Sequence, residues 1–336
     1  MSTIPKPRDR HQAVGWGAGT LALLMALLWG GNSVATKQAA DTLPPLAVGA
    51  ARFLIASFFL WPYLRSQGAL IRLERHQWRP AIILGTMLFL QIWTFNLGVD
   101  YSNSSHATVL INTFIFWVAL IEHSITRSVR LRWWQMLGLV IAAVGVLLCV
   151  GSSVEPTIGS PNSLDGQSPN TDKPTILGDV IMAFSALILA IKVIYTRSAV
   201  QVVPSDRLML WHNLVGAILF LIATPFIDDW SRAGASGWGE LWQKMTWGAW
   251  GGLLYSGLVV SGFCFVMHAW LLRHHSASHI SVFSFATPLC GVMTAVLLRG
   301  DSLTWWMLAS GACVAIAIAL VNWSTSSGSQ LTSRRN

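Results

Sequence analysis

Two cations sit inside segments that are otherwise apolar: Lys192, in SALILAIKVIYTR, and Arg52, in PLAVGAARFL. A charge at mid-bilayer costs about 3 kcal/mol on insertion scales, so such residues face a cavity or a partner. A buried ammonium can bind a substrate carboxylate, and a nearby amide can hydrogen-bond it. Asn32, in WGGNSV, is such an amide, and the repeat described below aligns it with Lys192. Lys192 could instead snorkel to the membrane interface beside Arg197. Arg52 lies seven residues past Pro45, roughly 10 Å into a helix rising about 1.5 Å per residue. Two roles suit it: pairing with carbonyls, Asp41 or Asp100 at the outer helix ends, or gating a path and touching an anionic substrate.

Further polar and aromatic positions could line the same path. Ser105, Thr108 and Asn112 fall at i, i+3 and i+7, on one helix face. Ser278, Ser281 and Phe285 form the analogous face later in the chain. Gln91, Trp93 and Asn96 interrupt an apolar run, and Trp93 and Trp117 are candidate walls for an aromatic or amphipathic ligand. Such hydroxyls and indoles also serve simply to pack helices together. The expected substrate site is therefore Lys192, Asn32, Asn112, Thr108, Ser281, Trp93, Trp117 and Gln91. His106 and His279 begin two aligned helices at opposite faces and, with Arg52, are the candidate gates. His274, His275 and His279 have ligand chemistry but no evident third partner, so no metal is expected. No nucleotide fingerprint or acid–base pair appears, so no cofactor and no catalytic residues are expected either.

The elements that position these residues follow from composition. The chain has 336 residues, 53% hydrophobic and 11% charged, with a mean hydropathy of +0.54. Soluble domains carry about 25% charged residues, so this chain cannot cover a water-facing surface and reads as an integral membrane protein. The net charge of +8 then bears on membrane orientation rather than on nucleic acid, which is not an expected partner. The 18 tryptophans suit repeated crossings of a membrane interface. Cys149, Cys264, Cys290 and Cys313 all lie in apolar runs without CxxC spacing and read as small packing residues.

A spanning helix needs about 20 mostly apolar residues. Ten segments qualify and are numbered helices 1–10: about 16–38, 45–64, 80–99, 104–123, 133–151, 176–197, 206–226, 247–272, 277–298 and 304–323. The fold class expected is all-α, with ten transmembrane helices. Residues 1–15 and 324–336 are tails, 16–151 and 176–323 are five-helix units, and 152–175 is a Ser/Pro/Asn/Gly-rich outer linker. In 227–246, Trp238, Leu241, Trp242 and Met245 have helical spacing, which fits either a surface helix or a loop. With the N-terminus inside, 15 Lys and Arg fall in inner segments and 5 in outer ones. The positive-inside rule therefore puts both termini in the cytoplasm.

The two units repeat. At an offset of 160, Thr36, Lys37, Ala39 and Pro44 match Thr196, Arg197, Ala199 and Pro204, Asn32 meets Lys192, and Arg52 meets His212. Helices 4 and 5 align with 9 and 10, pairing His106 with His279 and LRWWQM with LTWWML. Five helices per unit is an odd number, so the second unit must run inverted through the membrane. Inverted repeats point to alternating access around one central site.

Several stretches resemble the EamA-type branch of the drug/metabolite transporter superfamily. They are WGGNSVATKQA with LPPLAVGAARFL, NLGVDYSNSSHATVLIN, and YSGLVVSGFCFVMHAWLLRHHSASHISVFSFATPLCGVMTAVLLRGDSLTWW. The resemblance covers nearly all of residues 16–323 and implies ten helices in two repeats. Gly300-Asp301 fits the family's Gly-Glu after helix 9, while Ser128-Val129 carries no acid after helix 4. Pro288 stands in helix 9, and Ile115 replaces its helix-4 counterpart. The resemblance implies a secondary transporter in the cytoplasmic membrane, more often an exporter, with a small-molecule substrate and surrounding lipid as partners. Lys192 with polar and aromatic walls suits an amino acid or a similar amphipathic solute. Small residues at Gly311, Ala315 and Ala319 suit close packing within the chain or in a homodimer. The competing class is a multi-span enzyme acting on lipid, whose phosphate the basic stretch RSQGALIRLERHQWR could hold. No carboxylate pair accompanies that stretch.

Overall fold

The computed structural model describes residues 16–102, 104–124, 133–152, 175–230, 237–274, 286–300, 305–306, 308–317 and 320. Those residues form helices and connecting turns, with no strand among them. Seven helices are long and apolar enough to cross a membrane: Trp16–Ala40, Pro45–Ser66, Trp78–Asp100, Ser104–Ile121, Ile176–Ala199, Ser205–Ile227 and Trp247–His274. They fall where helices 1–4 and 6–8 are expected. Three shorter apolar helices, Met136–Gly145, Cys290–Arg299 and Leu308–Ala317, fall at the places of helices 5, 9 and 10. In hydrocarbon every backbone N–H and C=O needs an internal partner, which is why uninterrupted apolar runs become helices here. Many large apolar side chains point outward, Phe58 at 83% and Phe226 at 84% exposure among them. In water such a surface would aggregate; against lipid it is stable.

Helix contacts cross between the two units. Helix 2 packs along helix 7, helix 3 along helices 6 and 7, the second part of helix 1 against helix 8, and helix 1 also against helix 9. Glycines permit the closest approaches. A Cβ on Gly252 of helix 8 would collide with the carbonyl oxygen of Ala35 in helix 1, and one on Gly85 of helix 3 would meet Val215 of helix 7 at 2.5 Å.

Two ends of the bundle differ in charge. Asp41, Asp100, Asp179 and Asp228 share one end, and Arg65, Arg197, Arg207 and Arg273 flank helix termini at the other. At the aspartate end, Lys37 Nζ donates to the carbonyls of Val99 (3.1 Å), Asp100 (3.3 Å) and Ser102 (3.1 Å). Arg299 donates through both terminal nitrogens to the Asp41 carboxylate. The Asp228 carboxylate accepts from the backbone N–H groups of Leu46 (3.1 Å) and Ala47 (2.9 Å), which have no partner inside helix 2 because they lie in its first turn. The segment Trp238–Lys244 is a short helix. It buries Leu241 against Ala39, Leu43, Ala47 and Leu253 and so covers this end.

Three of the membrane helices depart from regular α geometry. Helix 1 is broken at Gly31, between Trp16–Gly30 and Asn32–Ala40. There the Tyr255 hydroxyl donates to the Leu28 carbonyl at 2.6 Å. Helix 4 is broken at Asn112 and Thr113, without a proline. Their side chains donate to the carbonyls of Thr108 (2.7 Å) and Leu110 (2.7 Å), and the Thr113 backbone N–H also donates to Leu110, at 3.1 Å, in a tightened turn. Helix 8 contains a π-helical stretch, Tyr255–Cys264, between α-helical Trp247–Leu254 and Phe265–His274.

Candidate functional site

A cavity of about 1060 Å³, open space at its mouth included, lies within the bundle. Its lining reaches from mid-depth to Thr196 and Met209, close to the arginine end. Arg52 enters from helix 2, Gln91 from helix 3, Lys192 from helix 6, His212 from helix 7 and His268 from helix 8. Asn32 follows directly on the helix-1 break, and Thr108 and Asn112 flank the last turn before the helix-4 break. Apolar walls come from Trp29, Phe95, Phe114 and Phe265.

The polar groups are held unequally. Arg52 is 1% exposed; its Nε donates to the Ser261 hydroxyl at 2.6 Å, and its guanidinium carbon lies 5.4 Å from the Phe53 ring centre. Ser261 belongs to the π-helical stretch, and its carbonyl accepts from Asn213 Nδ2 at 3.1 Å. Lys192 is 6% exposed; its Nζ donates to Gln91 Oε1 at 2.9 Å and lies 5.4 Å from the Phe265 ring centre. His212 Nδ1 lies 3.2 Å from Asn213 Oδ1, and His268 packs edge-on against Trp29 with ring centres 5.1 Å apart. No Asp or Glu is among the described lining residues. A chamber with two strong donors, neutral amides, hydroxyls and aromatic walls can hold a carboxylate beside an apolar group.

The sequence-selected residues divide into four groups. Lys192, Asn32, Asn112, Thr108 and Gln91 line the cavity, and so does Arg52. Arg52 is thus part of the chamber wall. The carboxylate of Asp41, one of its expected partners, is engaged by Arg299. Trp93 and Trp117 are not in the lining. Trp93 stacks on Phe89 with ring centres 5.9 Å apart and packs beside Phe220 and Leu88; the helix-4 break separates Trp117 from the Thr108 turn. His106 is buried at the aspartate end, away from the cavity, its Nδ1 3.3 Å from both Asp179 carboxylate oxygens. Ser281 and His279 lie outside the described residues, as do Ser278 and Phe285. Among the described residues no cluster of three His, Cys, Asp or Glu could hold a metal ion.

Sequence reasoning passed over Trp29, Phe95 and Phe265. His212 and His268 were not among the expected site residues. The offset-160 alignment that paired Arg52 with His212 is the signal that could have placed His212 here.

Outward apolar helices around a chamber that both halves of the chain line are the layout a membrane transporter needs. The comparisons agree with that class. The model of the EamA-like transporter family matches residues 16–151 and 176–323; the chain belongs to this family. Over 283 residues it is 23% identical to the "Uncharacterized transporter YoaV" of Bacillus subtilis (strain 168), covering 83% of this chain and 88% of that one. It is also 23% identical over 310 residues to a "Probable amino-acid metabolite efflux pump" of Salmonella typhimurium, covering 90% and 94%. A solved crystal structure superposes with a TM-score of 0.63 at 15% identity, over 91% of this chain and 97% of its own, and speaks for the fold alone. The chain is a multi-pass protein of the cell membrane and a transporter of small molecules, not an enzyme.

Proposed function

We propose that the protein is a secondary carrier that exports an amino acid, or a similar small amphipathic carboxylate, by alternating access. The observation that carries this reading is the chamber: buried Arg52 and Lys192 with no acid beside them, and aromatic surface opposite. A positive, partly desolvated chamber favours a carboxylate, and the aromatic surface favours an apolar side chain. The printed name of the Salmonella relative is consistent with amino acids and with export.

Ten membrane helices in two inverted repeats, with cytoplasmic termini, fit this mechanism. Helix 1 ends beside Asp41 at the aspartate end, while its partner in the repeat, helix 6, begins there with Asp179. That opposite running supports inversion. The aligned pairs Asn32/Lys192 and Arg52/His212 all contribute to the one chamber, as a two-fold arrangement requires. The interlocks at the aspartate end support a conformation closed on the outer face.

Counterflow in proteoliposomes tests the reading. Vesicles are loaded with unlabelled amino acids, and uptake of labelled members is followed one at a time. Saturable uptake of a subset is expected, with loss of uptake in Lys192→Ala that still folds and inserts. No uptake of any amino acid by folded, inserted protein overturns the substrate class, and undiminished uptake by Lys192→Ala removes Lys192 from the site.

A further inference from the structure

Among the described residues, two that line the chamber keep a buried side-chain polar atom with no hydrogen-bond partner: Arg52 Nη1 and Asn32 Oδ1. One is a cationic donor and the other an acceptor. Buried polar groups left unpaired each cost free energy, so native proteins retain few of them without a reason. Here the two are chemical complements of the two poles of a zwitterion.

Both residues are positioned by the same segment. Ser261, late in the π-helical stretch, takes Arg52 Nε and so fixes the guanidinium while leaving Nη1 without a partner. Tyr255, the first residue of that stretch, takes the Leu28 carbonyl. This stabilises the break at Gly31 that Asn32 directly follows. A π-helical insertion is uncommon and frequently marks a functional site. Lys192 differs: its ammonium is already engaged by Gln91 and Phe265.

We propose that Arg52 and Asn32 form a two-point subsite, the guanidinium receiving the substrate's carboxylate and the amide oxygen accepting a hydrogen bond from its ammonium group. Lys192 contributes positive potential without being the anchor. The proposal rests on the amino-acid reading above and adds to it which atoms recognise which pole. It excludes substrates that present only one pole, such as a plain fatty acid or a plain amine.

The test is counterflow of labelled phenylalanine, chosen for the aromatic walls, with four competitors: unlabelled phenylalanine, its methyl ester, its N-acetyl derivative and 3-phenylpropanoate. In the wild type the free amino acid should compete at least about tenfold better than each of the others, the discrimination expected from one charge-assisted hydrogen bond. Arg52→Gln should abolish the preference for acid over ester and leave that for free amine over N-acetyl. Asn32→Leu should do the reverse. A purely structural role for either residue would lower flux without changing these ratios. Counterflow with the ratios intact in both variants overturns the subsite and leaves the carrier standing. Absence of counterflow for phenylalanine and for every other amino acid overturns the carrier reading and the subsite with it. If Arg52→Gln does not fold, Asn32→Leu and Ser261→Ala decide: unchanged acid-to-ester selectivity in Ser261→Ala, together with unchanged amine selectivity in Asn32→Leu, overturns the proposal.

Discussion

The aspartate end and the chamber are both polar, and both connect the two halves of the chain, but they treat their polar groups differently. At the aspartate end the groups satisfy one another: Lys37 spans three carbonyls, Asp179 takes Ser102 and His106, and Asp228 takes two backbone N–H groups. In the chamber Arg52 and Asn32 keep atoms without partners. Satisfied buried polar groups specify one packing arrangement; unsatisfied ones in a cavity are available to a ligand. Mutations should therefore act on stability at the aspartate end and on flux in the chamber.

The largest effect is expected where a fully buried group would be stranded. Asp179→Ala removes the carboxylate facing His106 and Ser102, and should destabilise the protein by about 3 kcal/mol, read as a fall in the unfolding midpoint in detergent. If stability is unchanged, the aspartate end is not an interlock. Next, Arg52→Gln should reduce counterflow by roughly tenfold or more while the midpoint stays within a degree or two or rises, because it deletes a buried charge with an unpaired edge. A flux loss that merely tracks instability would erase the distinction between the two regions.

A smaller effect concerns Asp228, just beyond helix 7. Burial raises its pKa from the usual 3.8 to about 6, against the lowering effect of the Leu46 and Ala47 N–H groups. The folded value exceeds the unfolded one, so the protonated carboxyl favours folding. That contribution is full below about pH 4 and is lost as pH rises through 6. The unfolding midpoint of wild type relative to Asp228→Asn should fall between pH 4 and 6 and then level off; a difference that is flat with pH removes Asp228 as the titrating group. The smallest effect is at Trp93. Trp93→Leu should leave competition profiles unchanged, since the indole packs on Phe89 and not in the chamber; an altered profile would place it on the substrate path.

Much of the chamber was legible because charge is rare in an apolar sequence. Lys192, Asn32 and Gln91 stand out on composition alone, and the repeat ties Asn32 to Lys192. Arg52 was equally conspicuous, yet its role was not legible. Whether it pairs with Asp41 depends on which carboxylate Arg299 reaches, and Arg299 lies 258 residues away from Asp41. Trp93 and Trp117 fall outside the lining, and the sequence could not place them because an indole in an apolar run has the same signature whether it faces a cavity, a neighbouring helix or lipid. The breaks at Gly31 and Asn112–Thr113 and the π-helical stretch had no proline to announce them. At Gly31 the Leu28 carbonyl accepts from Tyr255, 227 residues away, a contact visible only after packing; at Asn112–Thr113 the side chains that bond the preceding turn are the break's own. For helix 1 the signal present was the pair Gly30-Gly31 immediately before Asn32.

The π-helical stretch also fixes an angle. An α-helix turns about 100° per residue, and a wider-wound stretch turns less, so the ten residues Tyr255–Cys264 reset the azimuth of everything that follows them. Phe265, His268 and Ala269 reach the chamber at the phase this winding dictates. Helix 8 therefore carries two faces set by one winding: Phe265 and His268 on the chamber, and Gly252 in the Trp247–Leu254 segment seated against Ala35 of helix 1.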